Sequence, residues 1–142
     1  MDDYFDTAQR IYNDITILRN SNKWFNTCYL SGYIMECYEK IILNEVLNVP
    51  NARGFSHDVD RMADEIHRLY TAYLVGGGVP SKYIVDIRRA CASLFDGDNS
   101  WHPTKRYRNQ TTIWGQTIAE LFYNETDGIM MLLLEMELDG AI

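Results

Sequence analysis

No apolar run in the 142-residue chain is long enough to span a bilayer; the longest uninterrupted one is Ile129 to Leu134. The amino-terminal MDDYFD is acidic and has no apolar core, so it does not read as a signal peptide. Cysteine is scarce: Cys28, Cys37 and Cys91, with no CxxC pair. On one helix Cys28 and Cys37 would stand about 13 Å apart, too far for a disulfide, so the reading is of buried reduced thiols in a soluble, cytoplasmic protein. The three histidines, His57, His67 and His102, show no HExxH or paired spacing, which argues against a zinc site, and no cofactor is expected. Positive charge is the minority sign, 13 Lys and Arg against 20 Asp and Glu, and a net −7 excludes coating of nucleic acid by bulk electrostatics. There is no alternating strand pattern, no internal repeat and no low-complexity tract.

What is present is helical periodicity in a globular composition, 46% hydrophobic and 23% charged. The length suits one domain with a core that needs neither metal nor disulfide. Tyr4, Ala8, Ile11, Ile15 and Leu18 predict a first helix over about Asp3–Leu18. Asn20-Ser21-Asn22 reads as a short loop. The stretch Trp24–Leu47 is apolar on nearly every side, which places it in the middle of a bundle, with Glu36 and Lys40 spaced to pair. Gly32 within it suggests the close approach of another backbone. Ser56 reads as the cap of a third helix carrying Val59, Met62, Ala63, Ile66, Leu69, Tyr70 and Tyr73, with Gly76-Gly77-Gly78 as its stop. Pro80-Ser81 would open a fourth helix with Ile84, Ile87, Cys91 and Leu94. A fifth is expected over about Thr112–Met136, bent or split at Asp127-Gly128. The fold class is all-α, a single-domain antiparallel bundle of about five helices over residues 1–142.

Three motifs carry a family resemblance. Tyr29-Leu30-Ser31-Gly32-Tyr33-Ile34-Met35-Glu36-Cys37, followed by Lys40, resembles the second-helix signature of HEPN domains, small helical bundles named for nucleotide binding in higher eukaryotes and prokaryotes. His57-Asp58-Val59-Asp60-Arg61-Met62 is similar to the family's His-Asp-Leu type of helix start, and Arg106-Tyr107 to an Arg-Tyr pair of one branch. The resemblance implies a homodimer that binds a nucleotide or single-stranded RNA, or that serves a nucleotidyltransferase partner as in toxin–antitoxin modules. Many HEPN domains are metal-independent ribonucleases with an arginine and a histidine four to six residues apart. Arg61 and His67 match that spacing, but earlier in the chain than the family's pair, and their side chains leave an unbroken helix about 120° apart. No histidine follows Arg106 or Arg108 in the corresponding window. The expectation is therefore binding rather than catalysis, with a toxin-like ribonuclease and an assembly module with a decayed ligand site as alternatives.

Residues 99–110 form the leading candidate for the ligand site. They hold Lys105, Arg106 and Arg108 and no acid, a local +3, beside Trp101 and Tyr107 as surfaces for a base to stack on. Glu36, Lys40 and His57 complete the expected ligand-binding set. Two structural readings stand beside it: Arg106 pinning the loop, paired to Glu36, and His57 stabilising the start of the third helix.

Overall fold

Asp3 starts the first helix by accepting a hydrogen bond from the Asp6 amide at 2.8 Å, one of the donors that a helix end leaves open. The computed structural model describes residues 2–107 and 113–142. Helix α1 runs over Tyr4–Asn20 and turns through Asn22, in the left-handed region at φ 58°, into α2 over Trp24–Ile41. A wider-wound turn, Ile42–Val46, continues α2. Every residue from Ile34 to Leu43 is buried, so α2 is the axis, flanked by α1, α3 (Val59–Val75) and α6 (Gln116–Leu138). All described regular structure is helical.

The third helix is capped by Asp58, whose carboxylate accepts from the Arg61 amide at 3.0 Å, and not by Ser56. Ser56 lies at φ 53°, ψ −122°, which cannot supply the extended backbone a cap requires. The glycine stop is an ordered turn. Gly77 takes φ 91°, and Gly78 lies so close to the Tyr73 ring that a Cβ there would stand 2.4 Å from it.

The expected fourth helix starts late and is split in two. The Tyr38 hydroxyl donates to the Tyr83 carbonyl at 2.7 Å and accepts from the Val85 amide at 3.1 Å, committing that backbone to a non-helical path. Helical structure begins only after Asp86, in two short pieces, α4 (Ile87–Ala90) and α5 (Ala92–Phe95), separated by Cys91 at φ −120°, ψ 46°. Conversely, α6 is unbroken through Asp127-Gly128. Burial of Thr126, Ile129, Met130 and Leu133 on its inner face outweighs the roughly 1 kcal/mol that a mid-helix glycine costs. Among the described residues no helix is long and apolar enough to cross a membrane, and no cluster of His, Cys, Asp or Glu is placed to hold a metal ion.

Candidate functional site

The exposed edge of α2 gathers the motif residues around Tyr33. Its ring meets Tyr29 (5.4 Å between centroids), Trp101 (5.1 Å) and His57 (5.6 Å), each nearly edge-on. The i,i+4 spacing of Tyr29 and Tyr33 brings their hydroxyls to 2.8 Å. Burial and the Tyr29 hydroxyl push the Tyr33 phenol well above its ordinary range, so it remains a neutral donor.

Below Tyr33 lies a fixed polar chain. The Glu36 carboxylate accepts from Lys40 Nζ at 2.8 Å through Oε1 and meets His57 Nδ1 at 2.9 Å through Oε2. Glu36 and Lys40 are buried on the helix, whereas the His57 side chain is 53% exposed. A carboxylate only accepts, so the proton of that bond sits on Nδ1 and Nε2 is turned over to solvent or a ligand. His57 is thus tied to Glu36, and capping of α3 falls to Asp58. Lys40 is consumed by Glu36, with the Tyr4 ring 5.5 Å from its ammonium.

Above Tyr33 stands the basic segment, whose 3-10 turn covers Pro103–Tyr107. Arg106 Nη1 donates to the Tyr29 hydroxyl at 3.2 Å, and the guanidinium lies 5.4 Å from the Tyr29 ring centroid and 5.1 Å from that of Tyr107. Arg106 is therefore not paired with Glu36, and among the described residues no carboxylate neutralises it. Tyr107 is 77% exposed. Lys105 faces inward: its Nζ donates to the carbonyls of Asp98, at 3.1 Å, and Ser100, anchoring the loop. Arg108 lies outside the described residues.

Trp101 does not offer a stacking surface. It is 3% exposed, its Nε1–H donates to the Tyr29 carbonyl at 2.8 Å, and its ring covers Gly32. A Cβ at Gly32 would stand 2.0 Å from the indole, so the close approach expected at Gly32 is made by a side chain and not by a second backbone. Trp101 fixes the loop on α2, and the open aromatic surface is supplied by Tyr107 with Tyr29.

Arg61 and His67 go to different neighbours. The Arg61 guanidinium lies over the Phe55 ring at 4.8 Å. His67 lines a cleft of about 360 Å³ between α3 and residues 84–88, with Tyr70, Asp86 and Arg88.

Tyr29 and Tyr33 join the site beyond the residues expected to bind a ligand, and their i,i+4 spacing on a helix carrying Glu36 is the sequence signal that marks them. Comparison with known families, curated proteins and solved structures yields no match to this chain.

Proposed function

We propose that the chain is a HEPN-like binding domain that takes a nucleotide or a few unpaired RNA bases on the face formed by Arg106, Tyr107, Tyr29 and His57. The observation that carries the reading is the state of Arg106. It is exposed, oriented by a phenolic hydroxyl and two rings, and bears a charge no described carboxylate cancels. A guanidinium held this way suits bidentate phosphate contact, and the exposed Tyr107 ring suits base stacking. His57 Nε2 offers a second polar contact beside Tyr33. The acidic remainder of the protein repels a long polyanion, which favours a short ligand. The resemblance of the α2, His57-Asp58 and Arg106-Tyr107 motifs to HEPN domains supports the same reading.

Fluorescence anisotropy with labelled RNA tests it. A short unpaired oligonucleotide should bind, and more tightly than a duplex of equal length. Equal affinity for both, or none for either, would remove the proposal. The family resemblance also leads us to propose a homodimer, for which Leu121 and Met131 on the outer side of α6 supply exposed apolar surface.

A further inference from the structure

Among the described residues Glu39 is the one fully buried acid whose carboxyl has no partner: it is 0% exposed, and neither oxygen receives a hydrogen bond. Its neighbour Lys40 leaves α2 on another bearing and serves Glu36. The groups acting on Glu39 are Glu36 on its own helix, Asp58 and Asp60 at the start of α3, and Arg88 of α4, while Cys91, between α4 and α5, feels Glu39 in turn. Only Arg88 among these is a cation, and it is engaged elsewhere. Its Nη1 binds Asp64 at 2.9 Å, and its Nη2 binds the Asp60 carboxylate at 3.3 Å and the Asp60 carbonyl at 3.2 Å. Arg88 thereby ties α4 to α3, and it also forms part of the cleft that His67, Tyr70 and Asp86 line.

We propose that Glu39 is a proton-operated latch: neutral, it leaves Arg88 on Asp60 and Asp64, and ionised, it draws Arg88 inward and releases α4 from α3. A buried carboxylate without donors is strongly disfavoured, and the one cation among the groups that act on it is Arg88. Burial first, and the Glu36 charge second, push the Glu39 carboxyl well above the ordinary glutamate value of 4.5. For an acid raised in the folded state, the folded chain holds the proton that the unfolded chain has lost. Stability is therefore complete below about 4.5 and declines as pH rises to the folded-state value, by up to about tenfold in the folded-to-unfolded ratio per pH unit.

The experiment is a carbon-13 and nitrogen-15 NMR titration of the full chain. The Glu39 carboxyl resonance should move well above pH 4.5, the ordinary glutamate value, and the Arg88 Nε resonance should move with the same midpoint. Titration of Glu39 near 4.5, or an Arg88 signal unmoved across the Glu39 midpoint, overturns the latch. Hydrogen exchange gives an independent reading through Glu39→Gln, which keeps the shape and cannot ionise. Above the Glu39 midpoint found in that titration the amides of residues 58–64 and 87–91 should exchange at least about tenfold faster in the parent than in the variant, and below about pH 4.5, where the carboxyl is protonated folded and unfolded alike, at equal rates. Equal rates in both ranges count against the proposal. The titration needs no variant, so it decides the matter even where Glu39→Gln fails to fold.

Discussion

Gly32→Ala inserts a single methyl where the Trp101 indole already lies, and the cost can be worked from the structure. The new Cβ would stand 2.0 Å from two indole carbons of Trp101, which is 3% exposed. Forcing an extra carbon into a packed site costs about 1–3 kcal/mol. Displacing the ring also breaks the Trp101–Tyr29 hydrogen bond, about 1 kcal/mol more. Against this, alanine gains about 1 kcal/mol of helix propensity over glycine. The net is a loss of roughly 1–3 kcal/mol, or about 3–12 °C in melting temperature for a domain of this size. Thermal melts followed by circular dichroism, with tryptophan fluorescence reporting the displaced ring, provide the assay. The penalty should shrink by more than about 1 kcal/mol in a Trp101→Leu background, because the two positions share one contact. A Gly32→Ala protein as stable as its parent would refute the packing argument.

Lys40→Met strips the buried Glu36 of its ammonium and should destabilise the fold by about 3–5 kcal/mol in urea denaturation; a loss below about 1 kcal/mol would show that His57 alone compensates Glu36. Cys28, Cys37 and Cys91 are buried, with the thiols of Cys28 and Cys37 pushed up to about 12 by desolvation, so a thiol reagent should label them only once the chain unfolds. Light scattering should report twice the 16.5 kDa chain mass, and a monomer at micromolar concentrations would remove the proposed dimer.

The sequence carried the helical class and the position of α2, because an apolar surface all round has only one place in a bundle. It also carried the Glu36–Lys40 pair, a local matter of i,i+4 spacing. What it could not carry were long-range decisions. Residues 80–86 have helical periodicity, yet the Tyr38 hydroxyl, far away in the chain, holds their backbone in a different conformation. Trp101 reads as a stacking surface until Gly32 is seen to make room for it in the core. The site was legible in part. Arg106 and Tyr107 stand open as the basic loop suggested, while Lys105 turns in to carbonyls that no charge pattern marks. Glu39 gave no signal, because a buried acid on a helix is distinguishable from an exposed one only once the neighbouring helices are in place.

The central claim is that Arg106 serves a ligand and not the fold. Isothermal titration with adenosine monophosphate or a short unpaired RNA, run beside a thermal melt on Arg106→Ala, separates the two roles. The exposed guanidinium, tied to the protein by one hydroxyl and two ring faces, predicts a loss of about ten- to a hundredfold in affinity with an almost unchanged melting temperature. Unchanged affinity together with a marked fall in melting temperature would contradict it.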